Sequence, residues 1–215
     1  MGSNGINEVD LANKFSDIGA QLGSGFDRDK SSFSLRTLKE NQEKAIELFK
    51  LVLHKPNFNK AIMDREKKKY LASIRQGETE PATIGSKAFM KTLYGNHPYG
   101  LPMSGTVDSI QKITSSQLKE FYDNFYLSNQ AAIVIVGDTD VKTAKDISSK
   151  ISSGLPKNLK SSFYAKVEKT EKKNINIPHP SAQAHLYFGT PIMKRGDPDF
   201  FPLYVGNYIL GGGGF

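Results

Sequence analysis

The chain has 215 residues, 38% of them apolar or aromatic and 24% charged, a globular balance that excludes disorder throughout. It has no cysteine, which removes disulfides, a thiol nucleophile and any thiolate-bound metal centre. The net charge of +7 comes from 29 basic against 22 acidic residues spread along the chain, too diffuse a footprint for a nucleic-acid interface.

Residues 7–18 read as a helix, with Asn7 as N-cap, Leu11, Ala12, Phe15 and Ile18 at helical spacing, and Gly19 as the stop. Residues 21–26 and 32–38 read as two strands joined by the charged turn Asp27-Arg28-Asp29-Lys30, a hairpin. Residues 41–53 form an amphipathic helix with Ala45, Leu48, Phe49 and Val52 on one stripe, ended by Pro56. Asn59 caps a long helix running to Gln76, and Pro81 starts another that carries Ile84, Ala88, Met90 and Leu93. Residues 94–100, Tyr-Gly-Asn-His-Pro-Tyr-Gly, are punctuated by glycine and proline and read as a loop. Thr114 and Gln117 have the spacing of a capping box, opening a helix to Tyr126.

Residues 131–136 are a continuous apolar run, expected to be a strand buried on both faces. The run is far below the ~18 residues a membrane span needs, and the opening residues lack the basic end and apolar stretch of a secretory signal. A helix over residues 140–151 follows. Residues 155–173 are rich in lysine without a sustained period, which marks a linker. Beyond it, residues 174–177 and 182–188 look like strands, and residues 197–210 like an apolar helix that ends on Gly211, Gly212, Gly213 and Gly214. Two strands and a helix are too few to bury a sheet face, so this stretch reads as the opening of a second domain. The organisation expected is a first α/β domain over 1–154, a linker over 155–173 and a truncated second domain over 174–215. The chain as a whole reads as a fragment.

Self-evident chemistry is scarce. There is no G-x-S-x-G elbow and no G-x-x-x-x-G-K-[ST] phosphate loop. The histidines His54, His97, His179 and His185 include no pair spaced i,i+4. His97 reads as a turn residue bonded to its own backbone, and His179 and His185 as solvent-facing. Asp27 and Asp29 read as a solvated hairpin tip. Asp64 and Glu66 open a lysine-rich helix, where pairs such as Asp64–Lys67 and Asp64–Lys68 explain them.

The order of the pieces is nonetheless specific. Ile18-Gly19-Ala20-Gln21-Leu22 leads into Phe33-Ser34-Leu35; Asp64-Arg65-Glu66 follows Pro56; the 94–100 loop is followed by Gly105-Thr106. Phe121-Tyr122, Phe125-Tyr126, Ile133-Val134-Ile135-Val136-Gly137-Asp138, Asp197-Pro198-Asp199 and Asn207-Tyr208-Ile209-Leu210-Gly211-Gly212 complete the set. This series resembles the pitrilysin/insulinase family of zinc metallopeptidases, in its two-domain, processing-peptidase-like branch, across essentially the whole chain.

The resemblance implies an α+β fold, a two-layer α/β sandwich repeated twice around a chamber for unfolded peptides. It also implies an H-x-x-E-H zinc motif and a third ligand, a glutamate, on a later helix, where the metal lowers the pKa of bound water for attack on a peptide carbonyl. This chain contains no H-x-x-E-H; by the family's order it would lie upstream of Met1. The third-ligand position, two helical turns after Glu66, is Ser73, with Glu66 itself or Glu78 the fallback in a shifted register.

The expected role is therefore a catalytically inactive member, holding no metal or cofactor of its own, with zinc confined to active relatives. Its partners would be a peptide or unfolded polypeptide and a zinc-bearing homologous subunit. Gly211, Gly212, Gly213 and Gly214 match the family's glycine-rich peptide-binding loop. Self-association through the truncated second domain is also expected. The alternatives are a fragment of an active zinc endopeptidase and a basic interaction module for anionic surfaces. A bacterial envelope or periplasmic setting follows from the resemblance alone.

Overall fold

The computed structural model describes residues 2–157, 166–168 and 170–212. The chain is α+β and divides into two compact units: Met1–Gly77 with Met103–Phe163, and Glu78–Pro102 with Tyr164–Phe215.

In the first unit, helix α1 (Glu8–Asp17) starts where the Asn7 side chain accepts the Asp10 N–H at 2.9 Å. It ends as Gly19 takes φ of 60°, a left-handed geometry without penalty for glycine, and the Ala20 N–H reaches back to the Phe15 carbonyl at 2.9 Å. Strands β1 (Gln21–Phe26) and β2 (Ser31–Arg36) pair antiparallel, with Leu22 opposite Leu35 and Ser24 opposite Phe33. The turn between them is tied by Asp27, whose carboxylate accepts the backbone N–H groups of Asp29 and Lys30 at 2.8 and 2.9 Å. Helix α2 (Gln42–His54) buries Ala45, Ile46, Phe49 and Leu53.

Helix α3 (Lys60–Gly77) follows, with the Asn59 side chain accepting the N–H groups of Ala61 and Ile62. The short helix α5 (Val107–Lys112), which in chain order follows α4 (Pro81–Tyr94) of the second unit, has a capping box of Thr106 and Ser109 that local periodicity did not announce. Helix α6 (Ser115–Phe125) starts on the expected Thr114–Gln117 box and sends the Tyr122 hydroxyl to donate to the Leu53 carbonyl at 2.6 Å. Helix α7 (Val141–Ser152) is capped by Asp140. The core lies between α2 and α7: Ile46, Phe49 and Leu53 meet Ile147 and Ile151, and Leu35, Ile133 and Ile135 pack on the same cluster. A second cluster joins Leu11, Phe15 and Ala20 to Ala45.

The strand expected at residues 131–136 is a correction. The segment joins no ladder among the described residues, where β1 and β2 form a two-stranded sheet. One face of it is packed, through Ile133 and Ile135, while Val134 and Val136 are 84% and 91% exposed. A continuous apolar run announces burial on both sides, but burial requires neighbours on both.

In the second unit, helix α4 (Pro81–Tyr94) carries the expected proline in its first turn. The segment around Tyr187 lies against it: the Tyr187 hydroxyl donates to the Ala82 carbonyl at 2.9 Å, and its ring centroid is 5.9 Å from that of Phe89. Gly85 makes this possible, since a Cβ there would sit 2.7 Å from the Tyr187 ring. Residues 174–177 and 182–188 carry no ladder pairing, so the two strands expected there are also corrected. Helix α8 (Phe200–Asn207) starts three residues later than Asp197 and continues into a wider turn over Tyr208–Gly212.

Candidate functional site

Helix α3 carries Glu66 and Ser73, the residues to which the resemblance points for a metal ligand. Its buried positions are Met63 and Ile74, which fix the helix on the unit and orient the rest of its surface. Glu66 and Ser73 are seven residues apart, two turns, and so share a stripe. Glu66 is half-buried and Ser73 exposed.

Glu66 is already engaged. Its Oε1 accepts from Arg65 Nε at 2.9 Å, from Arg65 Nη2 at 2.7 Å and from Lys69 Nζ at 3.0 Å. Arg65 also reaches α1, where both its terminal nitrogens grip the Glu8 carboxylate, Nη2 to Oε2 at 2.9 Å. The Arg65 hydrogen bonds, and after them Lys69, hold the Glu66 carboxyl below the usual range; the Arg65 bond does the same for Glu8. The Arg65 guanidinium is correspondingly pushed up, first by Glu8 and then by Glu66.

Asp64 corrects the pairing expected for it. It bonds Lys60, one turn earlier, at 2.5 Å, while Lys67 donates to the Gln111 carbonyl at 3.0 Å beside α5. The Lys60 hydrogen bond is the main reason its carboxyl sits below the usual range.

These donors do not fit zinc. A structural or catalytic zinc takes three or four convergent nitrogen, sulfur or carboxylate donors. Ser73, the position to which the resemblance points, offers a neutral serine hydroxyl, and the carboxylate oxygen of Glu66 already accepts three cationic N–H groups. Among the described residues no group of three or more His, Cys, Asp or Glu side chains is gathered for a metal.

The histidines are placed separately. His97 Nδ1 accepts the Tyr99 N–H at 3.2 Å, the turn bond expected of it. His54 Nε2 lies 2.6 Å from the Ile151 carbonyl, tying the end of α2 to the end of α7. His179 and His185 are exposed. Gly211 and Gly212 lie in the wide turn after α8, whereas Gly213 and Gly214 fall outside the described residues.

Two surfaces remain. On β1, ladder bonds run to β2 on one side, and the backbone along its other edge has no strand partner among the described residues. Between α1 and α2 an open cleft of about 540 Å³ is floored by Ile18, Leu48 and Leu51 and rimmed by both signs of charge, Lys14, Lys44, Glu43 and Glu47. Reasoning from the sequence missed the Glu8–Arg65 pair; its partners stand 57 positions apart, and no local spacing signals it. No helix among the described residues is long and apolar enough to cross a membrane.

Comparison with known proteins adds the family. Residues 1–107 match the model of insulinase, peptidase family M16, and residues 112–215 match that of the peptidase M16 inactive domain. A crystal structure of a peptidase M16 inactive domain from Pseudomonas fluorescens is 31% identical with a TM-score of 0.87, covering 100% of this chain and 52% of that one. A protein of Helicobacter pylori described as the non-peptidase homolog YmxG is 29% identical over 183 residues, 84% of this chain and 42% of its own. A Bacillus subtilis protein described as an uncharacterized zinc protease, YmxG, is 23% identical over 203 residues, 94% of this chain and 49% of its own. The chain thus spans about half the length of the curated relatives it matches.

Proposed function

The chain belongs to the insulinase-type peptidase family M16, and we propose that it acts there as a catalytically incompetent, peptide-binding member. The observation that carries this reading is the α3 stripe: Ser73 stands where the resemblance asks for a glutamate ligand, and Glu66, the fallback, is held by Arg65 and Lys69. Zinc in active relatives would generate a hydroxide for attack on a peptide carbonyl.

The binding half of the proposal rests on β1. Its unladdered edge offers N–H and C=O groups in strand register, which an extended peptide can pair as a further strand. Gly211, Gly212, Gly213 and Gly214 are proposed to contribute a backbone-lined contact to the same kind of ligand. A zinc-bearing homologous subunit is the proposed partner, with self-association through the apolar α8 region as a second contact. The division into 1–154, 155–173 and 174–215 and an envelope setting belong to the same proposal.

The test is metal content and peptidase activity measured together on the purified chain, with and without added zinc. The expected result is substoichiometric zinc and no cleavage of an unstructured peptide, with saturable binding of that peptide. One zinc per chain with cleavage abolished by a chelator would overturn the reading. In that case Glu66→Gln identifies whether Glu66 is the ligand.

A further inference from the structure

We draw no further inference here: the strongest candidate, the unladdered segment of residues 131–136 with Val134 and Val136 in solvent above the α2–α7 core, carries nothing because nothing in the structure shows what covers it.

Discussion

The two units of the chain handle similar apolar content in opposite ways. In the unit of residues 1–77 and 103–163, twelve of the described hydrophobic side chains are buried, and α2 and α7 place theirs on single stripes that meet. In the unit of residues 78–102 and 164–215, none of the described hydrophobic side chains reaches that burial; Leu186, Phe188, Ile209 and Leu210 are each at least 80% exposed. Helix α8 is apolar on every side rather than on one. Hydrophobicity supplies a driving force only where geometry supplies a partner. A striped helix specifies which neighbour it needs, whereas an all-round apolar helix asks for neighbours everywhere.

The sharpest way to break this contrast is to truncate one side chain in each unit. Phe49→Ala, at the centre of the α2–α7 cluster, is expected to cost roughly 3–5 kcal/mol in a urea or thermal unfolding experiment, because the removed ring leaves a cavity. Leu203→Ala on α8, 41% exposed, should shift the same transition by no more than about 0.5 kcal/mol. Equal effects would mean that α8 is buried in solution and the contrast false.

A smaller effect tests how tightly the first unit is closed. A Cβ on Gly154 would lie 2.1 Å from His54 Nδ1. Gly154→Ala must therefore displace the imidazole from the Ile151 carbonyl, at an expected cost of about 1–3 kcal/mol. The double variant with His54→Ala should recover part of that loss, because the clash disappears with the ring. No recovery would show that the cost arises elsewhere.

Smaller still is the loss of a cap. Thr114 accepts the Gln117 N–H at 3.2 Å and in return the Thr114 N–H reaches Gln117 Oε1 at 2.9 Å. Thr114→Ala should destabilise by about 1 kcal/mol, and Thr114→Ser by much less. Unfolding midpoints at constant m-value distinguish the two.

The caps also show why parts of the molecule were legible in the sequence. Asn7, Asn59 and Thr114 act through bonds to residues two or three positions away, so their role is written in local spacing. The stripes of α2 and α7 are legible for the same reason, and the hairpin is signalled by its polar turn. The six-residue α5 escaped because its length gives no full period, although its Thr106–Ser109 box was available to read. Residues 131–136 misled because an apolar run reports a need for burial and not its fulfilment. At the candidate site, Ser73 could be placed by counting turns from Glu66. The salt bridge from Arg65 to Glu8 could not, since it depends on how α1 and α3 come together in space.

That salt bridge gives the smallest and most conditional prediction. Glu8, Asp64, Glu66 and Asp140 all have folded-state pKa values below their ordinary 4.5 or 3.8. A depressed carboxylate stabilises the fold above its unfolded pKa, and that stabilisation is lost as the pH falls through the lower folded value. The first unit should therefore lose stability progressively below about pH 4.5. Arg65→Gln removes the donor that lowers both Glu8 and Glu66, so the unfolding midpoint of this variant should fall less steeply between about pH 5 and 3. All four groups are at least partly exposed, and raising the salt to about 1 M, where the screening length is about 3 Å, should bring the two curves together. If the wild-type and Arg65→Gln curves superimpose at low salt, the clasp between α1 and α3 contributes nothing to folding. Then α1 is held by the packing of Leu11 and Phe15 against Ala45 and by the Asn41 side chain, which donates to the Ile18 carbonyl at 3.0 Å, and the packing argument of the first unit extends to this charged face.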